Sequence, residues 1–181
     1  MEIKVTVFVP KDILRQSIVK DSIAHFMVHK TAPEVKALFR KTVFGWANKP
    51  SFRQHLTRTS MYMSMSVWGD GSNKNSRGLE AWKQYAMVNQ GTERHDIPKS
   101  GTTYMRFQDG RGYKSSTTPR ILKSGPRSNS GAFIVKFKVD HPGFEPREFD
   151  KTIADHYAPI FRKDMQDAIS VAAKKTAQSN K

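Results

Sequence analysis

Between Tyr85 and Phe107 the sequence YAMVNQGTERHDIPKSGTTYMRF gathers Asn89, Thr92, Glu93, His95 and Asp96 around a Gly-Thr turn. Such a gathering looks at first like an active site, and several acids converging on a metal would make a nuclease. Each of these residue types also has a structural use here. Asn89 and Gly91 suit a backbone that enters left-handed conformations, and His95 and Asp96 run into the turn formers Pro98, Ser100 and Gly101 ahead of a strand. The remaining acids that a metal site would recruit, Asp70, Glu80 and Asp109, are scattered at no recognisable spacing.

Other constellations fare no better. His25 and His29 stand four apart on a helical stretch, as metal ligands do, but Phe26 follows His25 where a metalloprotease keeps its acid, and no third ligand is evident. GDGSNKN is not a phosphate loop, and no GxSxG elbow occurs. The expectation is a protein without catalytic residues, metal or cofactor.

Lys and Arg number 31 against 16 acids, a formal charge of +15. That imbalance attracts polyanions, so nucleic acid or an acidic protein surface is the natural neighbour. The absence of cysteine excludes disulfides, thiolate metal sites and a cysteine nucleophile. Apolar runs such as AFIV are far too short for a membrane helix, and MEIKVTVFVPKD lacks a signal peptide's layout, so a soluble chain made inside a cell is expected.

The elements that must position these residues are read from periodicity. EIKVTVFVP alternates Ile3, Val5, Val7 and Val9 against Glu2, Lys4, Thr6 and Phe8, a half-buried strand ending at Pro10. After Asp12, a candidate N-cap, Ile13, Leu14, Ile18, Ile23, Phe26 and Met27 recur at helical spacing. TAPE, Thr31 to Glu34, reads as a capping box that opens a second helix with core positions Val35, Leu38, Phe39, Val43 and Trp46. MYMSMSVW places Met61, Met63, Met65 and Val67 on the drier face of a strand, and GDGSNKNSRG is a surface loop.

Leu79 to Val88 fits either a short helix or an extended piece. TTYMRF and AFIVKFKV are strands, the latter with Phe133, Val135, Phe137 and Val139 inward. Between them the connection 109–131 is long for a compact domain, and so is either functional or partly disordered. It carries Arg111, Lys114, Arg120, Lys123 and Arg127 against the single acid Asp109. DHPGFEPREF is a corner. The last helix, roughly Glu148 to Lys174, lines up Ile153, Tyr157, Ile160, Phe161, Ala168, Ile169 and Ala172, with a kink expected at Pro159. Residues 1–176 are expected to form a single α+β domain, a mostly antiparallel sheet flanked by two N-terminal helices and one long C-terminal helix, with 177–181 a frayed tail.

Two separated stretches, YAMVNQGTERHDIPKSGTTYMRF and VDHPGFEPREF, followed by a terminal helix ending AISVAAKK, resemble the neck or tail-completion (minor head–tail joining) proteins of long-tailed bacteriophages. Asn89, Gly91, Thr92, His95, Ile97, Gly101 and Phe107 carry the first motif, and His141, Pro142, Gly143, Arg147 and Phe149 the second. The likeness spans about Tyr85 to Ala173. The strand EIKVTVFVP has no place in the family pattern, and Met105 stands where Leu is commoner.

The resemblance implies a non-enzymatic virion protein, made in the host cytoplasm, that forms a ring at the neck, expected to be a hexamer. Its implied partners are a head-completion or connector protein, a tail terminator or tail-tube protein, and packaged double-stranded DNA held nonspecifically, with no membrane. On this reading the basic residues of 109–131 face DNA or the acidic rim of a partner ring, or else belong to a solvated loop. The first strand and that loop are the candidates for reaching a neighbouring subunit. The competing reading is a basic nucleic-acid-binding protein acting as monomer or dimer.

Overall fold

The computed structural model describes residues 2–9, 16–46, 48–71, 74, 80–97, 105–108, 113–114, 128–129, 133–136, 139–141, 143 and 145–178. The architecture is α+β: antiparallel strand pairs, N-terminal helices and one long C-terminal helix. The chain divides into two compact units. The first takes Met1–Arg40, Ser51–Asp70 and Asp150–Lys181, and the second Lys41–Pro50 and Gly71–Phe149.

In the first unit, β1 (Glu2–Phe8), β2 (Ser51–Arg58) and β3 (Tyr62–Asp70) form an antiparallel sheet in the order β1-β3-β2. The register puts Ile3 beside Val67, Val5 beside Met65 and Val7 beside Met63, so the apolar residues of both strands share one face. Met63, Met65 and Val67 are buried, and each contributes about 1.5–3 kcal/mol by leaving water. Met61 does not join them: it lies in the turn before β3 and is exposed. The turn is closed by Thr59, whose hydroxyl accepts from the backbone amides of Met61 and Tyr62.

β2 is an element that periodicity does not announce. Of SFRQHLTR only Phe52 is buried, stacked on Phe39 with centroids 4.9 Å apart, and the strand forms one border of the sheet. A border strand with a half-wet face carries little hydrophobic pattern.

The two N-terminal helices are merged, which corrects the capping-box reading at Thr31. α1 (Gln16–Phe26) passes through a π-helical turn, Met27–Thr31, into α2 (Ala32–Thr42), with the Ala32 amide donating to the Met27 carbonyl. A Pro in a continuous α-helix loses one amide and crowds the carbonyl four residues back. The wide turn just before Pro33 relieves both effects, and Thr31 is left fully buried inside it rather than capping a new helix. Asp12 lies outside the described residues.

α4 (Phe149–Gln178) continues through Pro159 and beyond Lys174, where the sequence pattern would end it. Its buried positions are Phe149, Ile153, Tyr157, Asp164, Met165, Ala168 and Ala172, whereas Ile160 and Ile169 are exposed. The apolar stripe is thus narrower than expected and contains an acid.

In the second unit, Leu79–Val88 resolves in favour of a helix, α3 (Ala81–Gln90). The rest is a set of nested antiparallel pairs. β4 (His95–Ile97) pairs with β9 (Val139–His141), β5 (Met105–Gln108) with β8 (Phe133–Lys136), and β6 (Tyr113–Lys114) with β7 (Ser128–Asn129). Nesting of this kind is the topology of one long hairpin. The segment 109–131 therefore contains a short ladder of its own, and the register differs by one residue between β5–β8 and β6–β7.

Candidate functional site

The residues that looked like chemistry meet in the second unit, at a corner built from the end of α3 and the chain returning after β9. Tyr85 forms its floor. The phenol is buried, its oxygen accepts from Thr42 Oγ1 at 3.2 Å, and its ring lies 6.0 Å from Trp46 and 5.5 Å from Phe149. One turn further along α3, Asn89 is buried as well.

A helix leaves its last carbonyls without partners, and this one finds them far away in sequence. The Arg147 amide donates to the Val88 carbonyl at 3.2 Å and the Glu148 amide to the Asn89 carbonyl at 3.1 Å. Glu148 holds φ at 48° to do so, a left-handed value uncommon for a residue with a Cβ. Gly91 ends the helix at φ 77° and ψ 179°, a combination open to glycine alone.

The second motif then locks onto the first. Gly143, at φ 78°, sits so close to the Thr92 carbonyl that a Cβ would collide with it, and the same Cβ would stand 2.8 Å from the Glu93 carbonyl carbon. His95 is paired in register with His141, Asp96 with Asp140 and Ile97 with Val139. Asn89, Gly91, Thr92, His95, His141, Gly143, Arg147 and Phe149 are therefore parts of one corner. Thr92 Oγ1 and Arg147 Nε are buried there without a hydrogen-bond partner among the described residues. Pro142 and Gly101 lie outside the described residues, and Phe107 falls in β5.

Of the basic candidates, Lys114 is in β6, opposite Ser128. Arg111, Arg120, Lys123 and Arg127 lie outside the described residues. Their stretch belongs to the more basic unit, which holds 16 Lys and Arg against 7 Asp and Glu.

A second polar cluster, in the first unit, has almost no signature in the sequence. Asp164 is buried on α4 and takes the Lys30 ammonium at 2.5 Å. Tyr157 lies within hydrogen-bond distance of both Glu34 Oε2, at 2.8 Å, and Asp164 Oδ2, at 3.1 Å. Burial pushes the Tyr157 phenol well above its usual range, helped by its bond to Glu34. The Lys30 ammonium is held above its ordinary value chiefly by its hydrogen bond to Asp164. The one hint in the sequence is an acid, Asp164, seven residues after Tyr157 in an apolar stripe. Glu34, expected to reach back to a helix start, reaches Tyr157 instead.

The rings of His25 and His29 lie with centroids 4.5 Å apart, tilted by 40°. Among the described residues no group of three or more His, Asp or Glu is arranged to hold a metal ion, and no helix is long and apolar enough to cross a membrane. Comparison of the chain with protein-family models, curated proteins and solved structures gives no match.

Proposed function

We propose that this chain is a structural component of a phage neck, one subunit of a ring that joins the head connector to the tail tube and surrounds the DNA path. The observation that carries this reading is the interlock of the two motifs. The residues on which the resemblance rests are spent on backbone geometry: Gly143 against Thr92, Arg147 and Glu148 on the carbonyls of α3, and β4 against β9. Such residues shape a scaffold.

The charge of the second unit agrees with a path for DNA, since phosphates are attracted without regard to sequence. Native mass spectrometry and negative-stain imaging at rising protein concentration test the proposal. Closed particles of constant subunit number with a central opening are expected. A protein that stays a monomer or dimer at every concentration, yet binds duplex DNA, would instead be the basic nucleic-acid-binding module.

A further inference from the structure

The three-stranded sheet of the first unit has two borders of different character. β2 carries Arg53, His55 and Arg58, all exposed, the kind of charged border that discourages stray pairing. β1 has no such protection. Over Glu2–Phe8 it contains no Pro or Gly, its one acid and one lysine cancel, and its register against β3 runs without a bulge from Glu2 to Phe8. A seven-residue strand of this composition is a template for another strand. At its end Phe8 is 73% exposed, with its ring 6.1 Å from Tyr62, and Met61 beside it is exposed too.

Among the described residues no strand pairs with the outer side of β1 or of β2. Both run antiparallel to β3 and are therefore parallel to each other. Placing a second copy so that its β1 follows β2 continues the sheet in one direction. The two edges differ, so the contact is heterologous, the type that closes into rings.

We infer that the partner of the β1 edge is the β2 edge of a second copy of this chain, the two forming a parallel inter-subunit ladder. The inference rests on the ring reading and names the surface that would build it. Rows within one sheet run Glu2–Trp68–Arg53, Lys4–Ser66–His55 and Thr6–Ser64–Thr57. Carried across the contact, Glu2 of one copy meets Arg53 of the next, Val5 meets Leu56 and Thr6 meets Thr57. Glu2 of one copy faces Arg53 of the next, whose Nε also holds Asp70 of its own chain at 2.7 Å, Lys4 faces His55, and the dry face continues through Val5 and Leu56. Like edges brought together would set β2 against β2, with three basic side chains facing three.

The chain has no cysteine, so cross-linking reports only what is introduced. Within one copy Thr6 and Thr57 flank Ser64 at two strand spacings, about 9.5 Å, too far to bridge. Thr6→Cys and Thr57→Cys are prepared separately and mixed under mild oxidation at ring-forming concentration, and Lys4→Cys with His55→Cys serves as a second pair. At least tenfold more linked two-chain species is expected in each mixture than in either variant alone, and the Thr6→Cys/Thr57→Cys double variant should give a ladder ending at ring size. Linkage of Thr6→Cys with itself would mean that like edges meet and would overturn the inference. Rings by mass with no linkage from either pair would overturn it while leaving the ring reading intact. Unlinked monomers at every concentration would overturn both.

Discussion

The α-carbon of Gly143 rests against the carbonyl of Thr92, leaving no volume for a side chain. The neighbouring atoms are backbone and cannot rotate away. Gly143→Ala is therefore expected to lose about 3 kcal/mol or more, combining the collision with a positive φ. Urea unfolding measures it, and a loss below about 1 kcal/mol would show that the two motifs are not locked together.

Gly91 tests backbone geometry in another way. Its ψ of 179° places it outside the left-handed helical region that Asn tolerates. Gly91→Asn should therefore be about as costly as Gly91→Ala, roughly 1–3 kcal/mol, and Gly91→Val should be worse. An Asn variant as stable as the parent would contradict the assigned conformation.

Asp164 is buried, whereas its partner Lys30 is 43% exposed at the side chain. Removing the acid strips Lys30 and Tyr157 of an acceptor inside the protein. Asp164→Ala should cost about 2 kcal/mol. Lys30→Met should cost clearly less than Asp164→Ala, because water screens the exposed end of that pair. Equal losses would mean that the pair is a surface contact after all.

The raised phenol of Tyr157 makes a signed prediction about alkali. Below its ordinary value near 10 both folded and unfolded states keep the proton, and the stabilisation is fully present. Above that value the unfolded chain gives up the proton while the folded chain retains it, so stability falls as pH rises. Thermal midpoints between pH 9 and 11 should fall more steeply for the parent than for Tyr157→Phe. Parallel curves would remove Tyr157 as the cause.

The cations of the 109–131 segment bear on the DNA path. Replacing Arg111, Lys114, Arg120, Lys123 and Arg127 by Gln should weaken duplex binding and reduce the slope of log K against log salt, by up to about 0.9 for each phosphate that is no longer neutralised. Fluorescence anisotropy over a salt series reads this directly. An unchanged slope would place the DNA-binding surface elsewhere on the chain.

Much of the fold could be read from the letters because burial repeats with the period of each element. Ile3, Val5 and Val7 against Met63, Met65 and Val67 is one example, and Val35, Phe39 and Val43 is another. The failures have local causes. The hydroxyl and acid of TAPE have the composition of a cap, yet a widened turn lets the helix carry on past Pro33, and no pattern of apolar residues reports that widening. β2 is a border strand with one buried side chain, so its alternation is faint. For the corner, composition pointed to turns at Gly91 and Gly143, and both glycines hold a positive φ. It could not reveal that the two turns press on each other, since that approach joins stretches some fifty residues apart. The Lys30–Asp164–Tyr157–Glu34 cluster depends on which helix faces meet, which spacing along one helix does not tell.

The capping of α3 by Arg147 and Glu148 has a temporal side. As the chain emerges from the ribosome, the helix is complete about sixty residues before the amides that finish it exist. The hairpin between them closes most cheaply from its innermost pair, Lys114 with Ser128, each rung shortening the loop for the next. The helix terminus is thus left to water until the zip reaches His95 and His141, making its end one of the last places in that unit to become native.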